Sequence, residues 1–188
     1  EFFLALVESS PATALSQTAE AGALKWMGSV DISNLTSAER VSGASSEADR
    51  RILYVATLVA GRDDVPEVLA GGGFSKREQD LLLRMAREGD RLCDALSSAD
   101  FYDNCRVSSE AELLFVESLG SDCASAASRC RAYLDLDLGF SATALEVTPG
   151  PHIGRALGET RRALFSGRIE KAEAVNFARA RALQYLNE

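Results

Sequence analysis

Val147-Thr148-Pro149-Gly150-Pro151-His152-Ile153-Gly154-Arg155-Ala156-Leu157 decides how the C-terminal part of the chain folds. Two prolines flank one glycine, so Thr148 and Gly150 are pushed out of the α region and the chain must turn. Pro151 then suits the first position of a helix, where its missing N–H costs nothing. Ile153, Leu157, Ala163 and Leu164 recur at helical spacing, and Gly167 reads as the residue that ends the run. A second helix follows, with Ala174, Phe177, Ala178, Leu183 and Leu186 available for an apolar stripe. The stretch opens a helical hairpin.

Working outward, Ser75-x-x-Glu78 and Ser109-x-x-Glu112 are capping boxes that open two further helices. The first runs from about Lys76 to Leu96 with Leu81, Leu82, Met85, Leu92 and Leu96 on its apolar face. The second runs through Leu113, Leu114, Val116 and Leu119 to Gly120, and Ser121 to Leu134 continues as another helix. Asp49 to Ala60 reads as a buried helix, and Pro66 to Ala70 as a short one broken by Gly71-Gly72-Gly73. Glu1 to about Gly28 holds two short helices, with Phe2, Phe3, Leu6 and Val7 as the first apolar face and Ser10-Pro11 as a cap. Residues 29–46 are rich in Ser, Thr, Gly and Ala and form a connection with one short helix, for which Thr36-x-x-Glu39 offers a capping box. No stretch carries a strand pattern. The expectation is an all-α, elongated array of about eight helices, divided at 1–45, 46–140 and 141–188.

Composition excludes several classes. Nearly half of the 188 residues are apolar and four are proline, so the chain folds and buries a core. No apolar run reaches the length of a membrane span, and none has a signal-peptide pattern. Cys93, Cys105, Cys123 and Cys130 show no C-x-x-C spacing and no histidine nearby, so neither a zinc site nor a disulfide framework is expected. A reducing compartment, the cytoplasm or an organelle matrix, fits four thiols. The net charge of −8 opposes phosphate at long range, but it is unevenly spread. Residues 151–188 carry seven Lys or Arg against four Glu, a net of +3, and residues 1–150 carry a net of −11. Arg84, Arg87 and Arg91 form a basic stripe, yet Asp80, Glu88 and Asp90 interleave with it, which reads as a solvated, ion-paired surface.

Pro149-Gly-Pro-x-Ile-Gly-Arg155-x-Leu157, then Leu164-x-x-Gly167-x-Ile169, then an alanine-rich last helix, resembles the tail of class II tRNA nucleotidyltransferases, the CCA-adding enzymes and bacterial poly(A) polymerases. Phe74-Ser75-x-x-Glu78 is similar to a segment of the same family. The N-terminal helices ending in Ala21-Gly22-Ala23-Leu24 are similar to its neck. The resemblance spans most of the chain in order and is specific in 147–169. It implies a neck, body and tail that hold the acceptor and elbow of a tRNA, without the catalytic head that adds nucleotides. Magnesium and CTP or ATP would belong to that head, so no cofactor is implied for this chain. Where the family often has His-Asp, this chain has Ala60-Gly61, and its one histidine is His152.

No catalytic set assembles from the residues themselves. Asp135-Leu-Asp137 lacks the strand and Gly-Ser loop that two-metal nucleotidyl transfer requires, and reads as a helix end and loop. Gly71-Gly72-Gly73 lacks the lysine of a phosphate loop. This chain alone is therefore expected not to be catalytic and to hold no metal. The residues expected to contact RNA phosphate are Arg155, Arg161, Arg162, Arg168 and Lys171, for their clustering and for the helix N-terminus at Pro151 to Gly154. His152 could approach RNA but is expected as a surface cap residue, and Gly154 is expected to permit close helix packing. The competing expectation is a helical interaction module, or a diverged remnant, that docks a separate catalytic subunit and does not bind RNA. No membrane partner is expected.

Overall fold

The computed structural model describes residues 2–6, 8, 10–28, 32, 35–43 and 45–187, and the expected apolar face of Phe2, Phe3 and Val7 falls on side chains outside that description. Among the described residues the fold is all-α: helices and 3₁₀ turns with no strand. The helices are α1 (Phe2–Ala5), α2 (Pro11–Glu20), α3 (Leu35–Val41), α4 (Glu47–Val59), α5 (Val65–Gly71), α6 (Lys76–Ser97), α7 (Phe101–Val107), α8 (Glu110–Ser118), α9 (Ser121–Leu134), α10 (Pro151–Phe165) and α11 (Ala174–Leu186). Short 3₁₀ turns occupy Lys25–Met27, Ala142–Leu145 and Lys171–Glu173. The excess over about eight comes from short pieces, α7 among them, whose seven residues are too few to display a period. The chain divides into two compact units, Glu1–Cys130 and Arg131–Glu188.

In the first unit, the later part of α4 and the middle of α8 are buried on every side, and stretches of that kind sit at a centre. Every residue from Ile52 to Val59 is buried, as is every residue from Ala111 to Val116. Helices α3 and α6 pack on these two. Leu6, Leu15, Leu24, Met27 and Leu35 enter the same cluster as Leu53, Leu82 and Phe115, so helices from the 1–45 and 46–140 segments share one core. Each fully buried Leu or Phe contributes ~1.5–3 kcal/mol relative to leaving it in water. The Tyr54 hydroxyl is buried with it, 3.1 Å from Ser42 Oγ, and burial pushes its pKa up.

The caps explain where these helices begin. Ser75 Oγ accepts from the Glu78 amide while Glu78 Oε2 accepts from the Ser75 amide at 2.8 Å. Ser109 and Glu112 do the same at α8, with Glu112 Oε2 accepting from the Ser109 amide at 2.8 Å. Ser46 caps α4 by accepting from the Asp49 amide at 3.1 Å. Two expected caps are corrected. Ser10 precedes Pro11 as expected but makes no cap bond, its hydroxyl lying instead 3.2 Å from that of Thr13. Thr36 and Glu39 lie inside α3, so they form no capping box.

Helix α6 is kinked at Glu88, whose φ of −122° and ψ of 17° leave the helical region. Gly89 follows, and a Cβ there would sit 2.9 Å from the ring of Phe115, which is buried in α8. The kink and the missing side chain let the two helices approach.

The cysteines overturn the expectation of four unpaired thiols. Cys93 of α6 and Cys123 of α9 form a disulfide, 30 residues apart in sequence with Cα atoms 5.2 Å apart. Sequence spacing carried no sign of it because the two half-cystines meet only through helix packing. Cys105 and Cys130 take no part in that bond and are buried.

In the second unit, a T-shaped contact between Tyr133 and Phe165, centroids 5.4 Å apart, ties the end of α9 to α10. Helices α10 and α11 form the expected hairpin. Gly167 sits at φ 69°, which only glycine adopts freely, so the helix ends there. The seam corrects the expected stripe. Ala156, Thr160 and Ala163 of α10 face Ala174, Ala178 and Ala182 of α11, all fully buried, whereas Leu183 and Leu186 are exposed. Alanine at every fourth position brings the two axes close and leaves longer side chains at the rim.

Candidate nucleic-acid interface

The Pro149-Gly150-Pro151 turn starts α10 with Gly150 fully extended and Pro151 in the first turn. His152 folds back so that its Nε2 lies 2.9 Å from the Thr148 carbonyl, clasping the turn. A Cβ at Gly150 would stand 2.6 Å from that ring, so the glycine leaves room for the clasp. His152 thus closes the turn but caps no helix amide, because its ring meets a carbonyl and α10 has no side-chain cap bond. The helix N-terminus offers fewer donors than the sequence reading assumed. Pro151 has no N–H, and the Ile153 amide is already bonded to the Gly150 carbonyl at 3.1 Å. Any anion held by this hairpin must lean on its arginines.

Gly154 is a correction. A Cβ there, or at Gly158 one turn on, would meet nothing within 4 Å, so neither glycine serves helix packing inside the fold. Together they leave a bare strip on α10. By helical register Arg161 continues that strip and Arg155 and Arg162, two turns apart, run beside it. Arg168 and Lys171 lie apart from them, in the connection between α10 and α11, and both are exposed. The five expected residues therefore fall into two groups.

Their charges are not equally available. Arg155 is exposed and lies 4.0 Å over the Tyr185 ring. The Tyr185 hydroxyl donates to Glu159 Oε2 at 2.6 Å, and Arg181 reaches Glu159 Oε1 at 3.0 Å. That hydrogen bond to Glu159 raises the Tyr185 pKa. Arg161 and Arg162 are half-buried, and Arg161 Nε is buried with no hydrogen-bond partner. Arg168 is exposed and donates from Nε to Ser166 Oγ at 3.3 Å. Lys171 is 3.6 Å from Asp137, whose carboxyl is held below the usual range by the Gly139 amide first and by Lys171 second.

Arg179 is basic by sequence but structural in place. Its Nε donates to the Leu145 carbonyl at 3.0 Å and its Nη2 reaches Glu146 at 2.9 Å, fastening the Ala142–Leu145 turn to α11. The network of Arg155, Glu159, Arg181 and Tyr185 escaped sequence reasoning. Its only linear trace is the spacing of four in Arg155–Glu159 and Arg181–Tyr185.

The Arg84–Arg91 stripe of α6 lies elsewhere, in the first unit. Arg84 pairs with Glu112 at 2.5 Å, and both line a cavity of about 260 Å³ with Arg91, Leu96, Val107 and Val116. Asp135 and Asp137 lie in the loop after α9, as read from sequence. Among the described residues no three or more His, Cys, Asp or Glu side chains are grouped to hold a metal, and no helix is long and apolar enough to cross a membrane.

Family models, curated proteins and solved structures contain no significant match to this chain.

Proposed function

We propose that this chain is the tRNA-binding C-terminal region of a CCA-adding-type nucleotidyltransferase, acting with a catalytic head outside this sequence. The observation that carries the reading is the bare Gly154–Gly158 strip of α10 bordered by Arg155, Arg161 and Arg162, on the helix that the Pro-Gly-Pro turn opens. A phosphate backbone needs that combination: close approach to a helix surface, and guanidinium forks beside it to take the anionic oxygens. Arg168 and Lys171 supply a second contact point at the connecting turn. The sequence resemblance in 147–169 supplies the identity of the RNA. In this reading the chain itself performs no chemistry, and magnesium and nucleotide belong to the head. The Cys93–Cys123 bond removes the argument from four thiols for a reducing compartment, so cytoplasm or organelle matrix rests on the tRNA alone.

The second reading, a helical module that docks a separate subunit without touching RNA, is favoured by charge. The Glu1–Cys130 unit carries twelve basic against twenty-one acidic residues, and the Arg131–Glu188 unit eight against seven. Long-range attraction to RNA is therefore absent, and binding must come from short-range contacts.

The deciding experiment measures binding of this chain to tRNA lacking its CCA end and to an unrelated hairpin RNA, across a salt series. The expected result is a preference for tRNA with salt-sensitive affinity. Replacing Arg161 and Arg162 together by Ala should flatten the slope of log affinity against log salt by ~1.5, since each phosphate contact contributes ~0.7–0.9. Absence of binding at low salt refutes the RNA reading and leaves the docking module.

A further inference from the structure

We propose that the cavity between α6, α7 and α8 binds a free α-amino acid with an apolar side chain, its carboxylate on Arg91 and its ammonium on Glu88. The cavity has a volume of about 260 Å³. That lies just below the ~300–1,000 Å³ of sites for drug-sized ligands, which suits a molecule of leucine or phenylalanine size. Its wall is apolar: Leu92 and Leu96 of α6, Val107 of α7, and Leu113 and Val116 of α8. Leu96, Leu113 and Val116 are buried, while Val107 stands 69% exposed at the rim. The frame is fastened, since Asn104 Nδ2 donates to the Ala95 carbonyl at 3.0 Å and Ser108 Oγ to the Asn104 carbonyl at 2.9 Å.

Four charged residues line this cavity, and two of them are already committed to each other. The buried Glu112 carboxylate faces Arg84 and accepts from the Ser109 amide, so that pair is satisfied within the fold. Glu88 and Arg91 are different. Both are exposed, and among the described residues neither side chain makes a hydrogen bond or an ion pair. Glutamate three residues before arginine is ordinarily a paired neighbour on a helix. Here Glu88 has φ −122° and ψ 17°, so the kink breaks the register that would join them. Backbone of this kind persists where its surroundings hold it, and such residues gather at ligand sites. What remains is one uncommitted anion and one uncommitted cation beside an apolar wall. A fatty acid would answer only Arg91 and the wall, and an alkylamine only Glu88 and the wall. An apolar amino acid answers all three: its carboxylate takes the guanidinium fork, its ammonium donates to Glu88, and its side chain covers the wall. The alternative, a solvated surface over an idle cavity, requires no ligand that uses both charges.

The test is calorimetric titration of the full chain with leucine, isoleucine, methionine and phenylalanine in turn. At least one should bind saturably, at one site per chain. Its amide, which lacks the carboxylate, and its deamino acid, which lacks the ammonium, should each bind roughly tenfold or more weakly, the loss of one charge-assisted hydrogen bond. Arg91→Met should weaken the amino acid by a similar factor and leave its amide unaffected. Glu88→Gln should do the same and leave the deamino acid unaffected. Ala95 lines the cavity, so Ala95→Phe fills it and should abolish binding. The two charge variants change exposed residues and their folding is checked by circular dichroism, so they decide even if Ala95→Phe does not fold. Failure of all four amino acids to bind at millimolar concentration overturns the proposal. So does equal binding of the deamino acid, or binding indifferent to both charge variants. The outcome is separate from the RNA reading, because the cavity lies in the Glu1–Cys130 unit and the α10–α11 hairpin in the other.

Discussion

Removing the charge of Arg84 should destabilise the Glu1–Cys130 unit through a residue on a different helix. Glu112 has a side chain only 3% exposed, and it serves two purposes. Its Oε2 accepts from the Ser109 amide at 2.8 Å and from the Ser109 hydroxyl at 2.9 Å, starting α8, while Oε1 faces Arg84. Arg84→Met keeps the aliphatic stem against the cavity wall and strands a buried carboxylate with only neutral donors. Breaking a fully buried pair costs ~3–5 kcal/mol, but Arg84 is 43% exposed and water screens its half of the pair. The expected cost is therefore ~1–2 kcal/mol. Glu112→Gln leaves a single oxygen to serve both Ser109 and Arg84, so one donor goes unanswered, at ~1–3 kcal/mol. The double variant should recover ~1 kcal/mol relative to the sum of the single changes, because residues in contact do not add. The assay is urea unfolding followed by fluorescence of Trp26, the sole tryptophan of the chain, which lies in the same unit. With a slope of ~2 kcal/mol/M, 1.5 kcal/mol moves the midpoint by ~0.7 M. Single costs below ~0.3 kcal/mol with zero coupling would refute the argument that the ion pair neutralises the α8 cap.

Three further outcomes are expected. Gly89→Ala forces a Cβ to within 2.9 Å of the buried Phe115 ring, and the strain of ~1–3 kcal/mol should exceed the gain of ~1 kcal/mol in helix propensity, lowering the same urea midpoint. Reducing the Cys93–Cys123 bond, or Cys93→Ser, frees a loop of 30 residues and should cost roughly 3–4 kcal/mol on the chain-entropy estimate, read as a lower melting temperature in reductant. Tyr185 has its pKa raised in the folded hairpin by Glu159, so its contribution is complete below the ordinary tyrosine value near 10 and is lost as pH rises through the raised value. Melting of the wild-type chain should therefore weaken more than that of Tyr185→Phe as pH rises past about 10.

The sequence by itself determined the all-α class, the capping boxes at Ser75 and Ser109, and the hairpin between Pro151 and Leu186. Each depends on interactions within about one helical turn: a serine with a glutamate three residues on, a proline that fixes φ, a glycine that tolerates φ near 70°. Apolar periodicity likewise exposed the buried character of Ile52 to Val59. Tertiary structure decided which side of each element mattered. The hairpin seam runs through alanines and Thr160, because close packing selects small residues and a hydrophobicity pattern favours large ones. Gly154 became open surface instead of a packing contact once α11 took the opposite face of α10. The five candidate phosphate ligands were legible as a basic cluster, but their division into two groups, and the contacts of Arg155 with Tyr185 and of Lys171 with Asp137, arise only when the hairpin and its preceding loop fold together. The cysteine pairing was equally invisible in the linear chain. Cys93 and Cys123 are 30 residues apart, and Cys105 lies between them. Local chemistry is written in short spacings, whereas pairings across helices depend on how their axes meet.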